Sequence, residues 1–341
     1  AVASALSAAA VDEVTSILFM AALVFQVCDV LKVRPIPFLI ICVIATNVGS
    51  AGTMLGNPVG ILIGSRAGLT FEDFMIWSFP VMLLSLTVTV ALLMVWYRKD
   101  ISLLGERMAQ RRGHALPLGP TVTVPFKRGL LLICGTIGLV ALHHRIELWL
   151  DLETNTVLYM APLVAAGIVM IWRRERARHY IEQDVEWWTL IFFLMLFGVA
   201  GTLQYTEVTT EIAFSLTRLL GDQTSILVPA VMAISAIGSA FIDNVIFVAA
   251  FIPVVQELVG ESATVHPLWW ALLFGACFGG NITMIGSTAN IVALGMLEKR
   301  YRTRIHFLEW FRVGLAAGFV AGFVAWLALL VTGPFMLAGS S

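Results

Sequence analysis

Gly279-Gly280-Asn281-Ile282-Thr283-Met284-Ile285-Gly286-Ser287-Thr288-Ala289-Asn290 is the stretch whose reading decides the fold. It interrupts an apolar region that runs from Trp269 to Met296. A membrane-crossing helix has no use for three glycines and two asparagines in twelve residues. Unwound backbone at membrane depth presents N–H and C=O groups that hydrocarbon cannot satisfy. It persists only against a polar cavity or inside protein. The phrase also recurs: Gly49-Ser50-Ala51-Gly52-Thr53-Met54-Leu55-Gly56 aligns with Gly279 to Gly286 at an offset of 230 residues. Paired interruptions at matching positions of two halves are the strongest sequence pointer to a transporter's binding site.

Composition sets the surroundings. The 341 residues are 59% hydrophobic and 13% charged, with a mean hydropathy of +0.90, whereas soluble domains carry roughly 25% charged residues. The chain reads as a multi-pass protein of the cell (inner) membrane, with the lipid bilayer around it and no nucleic-acid partner. Cys28, Cys42, Cys134 and Cys277 are scattered singly, and the six histidines fall in loops or near helix ends without an HExxH pattern. Neither a disulfide framework nor a zinc site is indicated, and metal catalysis has no support. The reading is not that of an enzyme.

The fold expected is an all-α polytopic membrane protein with inverted structural repeats, each holding a re-entrant hairpin and a broken transmembrane helix. Residues 1–97 form a first, incomplete repeat: a small-residue arm over 1–11, the acids Asp12 and Glu13, a second arm over 14–31, a broken helix over 38–63 and a full span over 71–96. Residues 98–128 are a polar, proline-bearing cytoplasmic linker. Residues 129–335 form the second repeat, with scaffold helices, an interfacial amphipathic segment over 173–188, a hairpin tipped by Asp243, the broken helix and a last span over 313–330. Asp12 and Asp243 stand 231 residues apart, matching the repeat. Only 11 residues precede Asp12, while 116 separate Lys127 from Asp243. The repeat therefore predicts that the chain is a fragment lacking part of the N-terminal scaffold, roughly 100 residues.

The basic residues orient this arrangement. Those at 32–34, 98–128, 173–178 and 299–312 fall on one side, and Arg66, Arg145 and Arg218 fall opposite. The rich side is cytoplasmic by the positive-inside rule. The assignment requires both Asp-tipped segments to enter and turn back without crossing, from opposite faces.

Asp12, Glu13 and Asp243 thus sit at membrane depth, where an ionisable group costs about 2.5–3.5 kcal/mol or more and marks an ion pathway. The plainer alternative is that Asp12 and Asp243 only cap the second arm of each hairpin, and the two roles are compatible. Asn47, Ser50, Thr53 and Asn57 in one half, with Asn281, Thr283, Ser287 and Asn290 in the other, offer neutral oxygens and amides. Together with unwound carbonyls these suit sodium at the two broken helices, or else they hydrogen-bond an oxyanion. Gly49, Gly56, Gly279 and Gly286 permit the break through their backbone freedom. Small polar residues also let helices pack closely, although that reading fits one such site better than two in register. Cys277 is either a soft ligand or a small hydrophobe. Trp187-Trp188, Trp269-Trp270 and Trp310 read as interface anchors.

At these motifs the chain resembles the arsenite permease and sodium/proton antiporter family that includes the melanosomal P protein, within the ion transporter superfamily. Ser239-Ala240-Phe241-Ile242-Asp243-Asn244 and Gly280-Asn281-Ile282-Thr283-Met284-Ile285-Gly286-Ser287-Thr288-Ala289-Asn290 carry the likeness. The resemblance implies a homodimer working by an elevator motion. It places the site among Asp243, Asn244, Asn281, Thr283 and Asn290 of one half and Asp12, Asn47, Thr53 and Asn57 of the other. The first half departs from the family: Glu13 stands where an asparagine is usual, Asn57 where an aspartate is, and Gly60 where an asparagine is. The carboxylate is kept but moved, so Glu13 is expected to stand in for the lost aspartate.

The function expected is an ion-coupled secondary active transporter of a small anion or metalloid oxyanion, driven by protons or sodium. A sodium/proton antiporter is the alternative within the class, and a passive channel is a further one. An intramembrane aspartyl protease would need a dyad, but its Tyr-Asp and Gly-Leu-Gly-Asp signatures are missing.

Overall fold

The computed structural model describes residues 1–110, 126–153, 156–185, 187–221, 223–260 and 266–338, which form helices and turns with no strand among them. The helices are α1 (Val2–Ala10), α2 (Glu13–Leu31), α3 (Pro35–Ser50), α4 (Pro58–Ala67), α5 (Phe71–Trp96, with a π turn at Phe74–Ser78) and α6 (Arg98–Gln110). They continue as α7 (Phe126–Ala141), α8 (His143–Leu150), α9 (Thr156–Trp172), α10 (Arg174–His179), α11 (Trp187–Tyr205) and α12 (Val208–Leu220). The last are α13 (Thr224–Phe241), α14 (Asn244–Val259), α15 (Pro267–Gly279), α16 (Thr288–Tyr301) and α17 (Phe307–Ala338).

Length and apolar content let α2, α5, α13 and α17 cross a bilayer. The 26 residues of α5 extend about 39 Å at 1.5 Å each, more than a core of roughly 30 Å requires. Because α2 and α13 each reach crossing length, length alone does not mark them as arms that turn back. A bend of 64° joins α7 to α8 into a further span-length pair.

The chain divides into two compact units: Ala1–Leu69, Asp73–Gly119 and Ala200–Ser341 form one, and Thr70–Glu72 with Pro120–Val199 form the other. Within the second, Glu147 Oε1 accepts from the Val157 N–H at 2.8 Å, and Arg145 pairs with Glu72 at 2.7 Å. The first unit draws on both halves of the chain and holds every candidate site residue.

In that unit α1 packs on α3, and α13 packs on α15. Both pairs approach at backbone distance. A Cβ on Gly49 would lie 2.2 Å from the Ala5 carbonyl oxygen, and one on Gly279 would lie 2.4 Å from Ala236 Cα. Ala5 and Ala236 are 231 residues apart, so the two approaches are the same contact made twice. Among the described glycines positive φ occurs only at Gly68, Gly221 and Gly260. The glycines of the breaks therefore serve proximity, and the backbone freedom expected of them is not used.

Three further differences from the sequence reading have physical reasons. Trp269, Trp270 and Trp310 are buried; α15 and Trp310 are covered by other helices, so these indoles pack the interior and do not anchor at an interface. Trp187 is exposed. The polar linker begins as a helix, α6, with Ile101 resting against the core cluster of α2, α3 and α16, while residues 111–125 lie outside the described residues. The last helix has 32 residues because Phe307–Arg312 extends it before the expected span and residues 331–338 extend it after.

Candidate functional site

Each break is built the same way. Past α3, the N–H of Gly52 bonds the Gly49 carbonyl at 3.0 Å and that of Gly56 bonds the Thr53 carbonyl at 3.3 Å. Past α15, Ile282 bonds Gly279 at 2.9 Å and Gly286 bonds Thr283 at 3.5 Å. These are equivalent turns at the 230-residue offset. The helix then restarts from a side-chain cap: Asn57 Oδ1 accepts from the Gly60 N–H at 2.9 Å, and Ser287 Oγ accepts from the Ala289 N–H at 3.2 Å. Caps of this kind satisfy N–H groups that a helix start leaves free. Finally, Thr53 Oγ1 donates to the Ala9 carbonyl, as Thr283 Oγ1 does to that of Ala240. Each break is thus fastened to the helix that precedes the acid of its own half.

The acids divide by one residue of register. Asp12 caps α2, its Oδ2 accepting from the N–H groups of Val14 at 3.0 Å and Thr15 at 3.1 Å. Asp243 caps α14 through Val245 N at 3.0 Å, and its Oδ2 accepts from the Thr288 hydroxyl at 2.7 Å. Both are half-buried. The residue after each cap points inward: Glu13 is 1% exposed and Asn244 is fully buried.

The two breaks meet at Asn47, near the end of α3. Its Nδ2 donates to Asn281 Oδ1 and to Asn290 Oδ1, each at 2.9 Å. Its Oδ1 accepts from the Ser287 hydroxyl at 3.2 Å. Ser287 Oγ also lies 3.4 Å from Glu13 Oε1, with Ser50 and Asn57 close by. Asn290 Nδ2 turns back onto its own break, donating to the carbonyls of Gly280 at 2.8 Å and Thr283 at 2.9 Å. Asn57 Nδ2 donates to Ser50 Oγ at 2.8 Å and Cys277 Sγ at 3.1 Å. Behind the cluster, the Trp310 indole N–H donates to the Asn281 carbonyl at 3.0 Å.

The structure therefore gathers Glu13, Asn47, Asn57, Asn281, Ser287 and Asn290 at membrane-helix ends, all buried, and Asn244 is buried at the matching position after the other cap. Thr53 and Thr283 fasten the breaks, Gly49 and Gly279 allow close packing, and Asp12 and Asp243 cap. Four buried polar atoms have no partner here: Glu13 Oε2, both amide atoms of Asn244 and Asn281 Nδ2. Buried polar groups are normally hydrogen-bonded, so unpartnered groups of this kind fit a ligand site. It offers amide donors for an anion and carboxylate and carbonyl oxygens for a proton or cation. The residues fit sodium in donor type, being oxygens. Among the described residues no group of three or more His, Cys, Asp or Glu could hold a metal ion.

Sequence reasoning gave Cys277 and Trp310 little or other roles, although both touch the cluster. Thr288 is not among the residues the sequence singles out, and its place in the first turn of α16, beside the Ser287 cap, is the signal that points to it. Glu13 lands beside Asn57, the position where the family resemblance implies an aspartate.

Residues 1–275 match the model of a family described as "Citrate transporter". An "uncharacterized transporter" of Mycobacterium tuberculosis is 36% identical over 318 residues, covering 91% of this chain and 71% of that protein. A "46 kDa membrane protein" of Mycobacterium leprae is 34% identical over 338 residues, covering 96% and 76%. The human P protein is 29% identical over 412 residues, covering 96% of this chain and 48% of its own length.

Proposed function

The chain belongs to the citrate transporter family, and from that premise we propose that it is an ion-coupled secondary transporter of small oxygen-rich anions. The substrate class is carboxylates such as citrate, with metalloid oxyanions such as arsenite next. The observation that carries this reading is the single buried cluster made by both broken segments, in which Asn281 Nδ2 has no partner, with a second unpartnered amide at Asn244 after the other cap. Amide N–H groups recognise anionic oxygen without the desolvation cost of a buried cation. The cluster contains no Lys, Arg or His, so the charge of an anion entering it is balanced by a co-bound proton or sodium. This is what couples the substrate to an ion gradient.

Supporting parts follow from the same reading. The two halves act as inverted repeats, with each acid-tipped helix pair entering the inner membrane and turning back. The protein works as a homodimer in which the cluster moves between faces.

The alternative is sodium/proton antiport, favoured by one observation: Glu13 Oε2 is an unpartnered carboxylate oxygen, which serves cations as well as it serves anion balance. Purified full chain in liposomes separates the two. Counterflow of radiolabelled citrate or arsenite that is lost in Asn281→Ala supports the anion carrier. A sodium-evoked change of internal pH without anion counterflow supports the antiporter. Flux that does not saturate and exchanges nothing overturns both.

A further inference from the structure

The hydrogen-bond donors around Glu13 can be followed one by one: Ser50, Asn57 and Ser287 stand beside it, the amide nitrogens of Asn244 and Asn281 have no partner, and Glu13 Oε2 receives no bond from any of them. Asn57 Nδ2 uses its two protons on Ser50 Oγ and Cys277 Sγ. Ser50 gives its single proton to the Asn47 carbonyl at 3.0 Å. Asn47 Nδ2 uses both of its protons on Asn281 and Asn290, and Asn290 Nδ2 uses both of its own on backbone carbonyls. Ser287 has one hydroxyl proton and two acceptors in reach, Asn47 Oδ1 at 3.2 Å and Glu13 Oε1 at 3.4 Å. The shorter contact takes it. What remains at 3.4 Å is an oxygen–oxygen pair that is a hydrogen bond only when the carboxyl itself supplies the proton.

No cation supplies the missing charge. The ionisable groups that act on Glu13 are Asp12 on its own helix cap and Asp243 across the cluster, with Cys277 of α15 also facing it. All of these are acidic. Of the helices packed on α2, α1 carries no charged residue, and α3 has only Arg34 at its start. The charges of α16 sit in its last turns, where Arg300 pairs with Asp29 at 2.6 Å. Asp29 lies sixteen residues beyond Glu13, about 24 Å along the helix. The charges of α6 (Arg98, Lys99, Asp100, Glu106 and Arg107) are none of them among the groups that act on Glu13. A buried carboxylate with one oxygen unbonded and only acids as its charged neighbours is strongly disfavoured.

Resting on the transport reading above, we infer that Glu13 carries the coupling proton, one per turnover, and that its counterpart Asn244 carries none. The proton binds the Glu13 carboxylate from one aqueous face, bonds to Ser287 Oγ in the loaded cluster and leaves to the other face with the substrate. Asn244 occupies the matching position after the cap in the other half, where an amide cannot release a proton. At this pair of positions the two halves thus carry one proton between them.

The test uses full-length protein in liposomes with the membrane potential clamped at zero. Wild-type protein is expected to accumulate radiolabelled citrate about tenfold per pH unit of imposed gradient, the value for one proton. Glu13→Gln is expected to lose this dependence. Asn244→Asp, adding a second acid, is expected to steepen it toward about a hundredfold per pH unit. Independently of any substrate, pH-difference infrared spectra should show a protonated-carboxyl C=O band in wild-type protein that Glu13→Gln lacks. A proton-driven gradient retained in Glu13→Gln, a carboxyl band unchanged by that substitution, or accumulation that follows sodium alone overturns the inference. Absent citrate counterflow in wild type with the band present and lost in Glu13→Gln would refute the citrate reading and leave the proton site standing.

Discussion

Replacing Asn47 by Ala tests whether the two breaks are held together where the structure joins them. The substitution removes the donor of two hydrogen bonds at 2.9 Å, stranding Asn281 Oδ1 and Asn290 Oδ1. Asn47, Asn281 and Asn290 are all fully buried, so neither acceptor can turn to bulk water. A stranded buried acceptor costs about 1–3 kcal/mol, which makes about 2–6 kcal/mol for two before relaxation. Ser287 partly offsets this, because the proton it gave to Asn47 Oδ1 becomes free for another acceptor. Taking the lower half of that range, the melting temperature in detergent should fall by roughly 5–15 °C. Tryptophan fluorescence on heating reads the melt, and size-exclusion chromatography before heating confirms that the variant is folded. Asn47→Asp should be worse than Asn47→Ala, since it sets a carboxylate against two amide oxygens. A melt within about 2 °C of wild type for Asn47→Ala, or an Asn47→Asp variant the more stable of the two, would refute the reasoning.

Other substitutions probe separate contacts. Gly49→Ala and Gly279→Ala each place a methyl against backbone, at 2.2 Å and 2.4 Å; both should lower the yield of monodisperse protein, whereas Gly105→Ala, with nothing within 4 Å, should not. Thr53→Val and Thr283→Val each remove one fastening bond and should cost about 1 kcal/mol apiece, read as equal shifts in melting temperature. Trp310→Phe removes the bond to the Asn281 carbonyl and should cost about 1–2 kcal/mol while reducing citrate counterflow; Trp149→Phe, at a site 84% exposed, is the neutral control. Asp29→Asn loosens an exposed pair with Arg300 and Tyr301 and should cost under about 1 kcal/mol, with the difference vanishing at high salt.

Much of this was legible in the sequence because glycine and asparagine are so poorly suited to an uninterrupted membrane helix. The repeated Gly-x-x-x-Thr-Met-x-Gly phrase located both breaks, and an acid between apolar arms located both caps. The contacts between the halves were not legible. Nothing in a sequence says that Asn47 reaches Asn281 across 234 positions, since that depends on how α3 and the second break pack. Nor could a pattern tell which of Asp12 and Glu13 enters the cluster. An N-cap side chain folds back onto the first N–H groups of its helix, and the next residue, already helical, projects the other way. The tryptophans misled for a related reason: an indole suits a membrane interface and a tight interior equally, and only the neighbouring helices decide. The helix α12 escaped notice because its apolar residues do not form a run of crossing length.

The Gly49–Ala5 and Gly279–Ala236 approaches have a mechanical consequence. Where backbone lies on backbone there is no flexible side chain to yield, so neither pair can slide by a fraction of a turn without collision. Each of these helices and the break it touches behave as one stiff lever, and the fastening threonines keep its tip from fraying. Between the two levers runs a seam stitched by amides, whose hydrogen bonds can be exchanged one for another at little cost. Stiff arms on either side of an adaptable seam let a displacement arriving at an arm's far end be delivered, undiminished, to the seam.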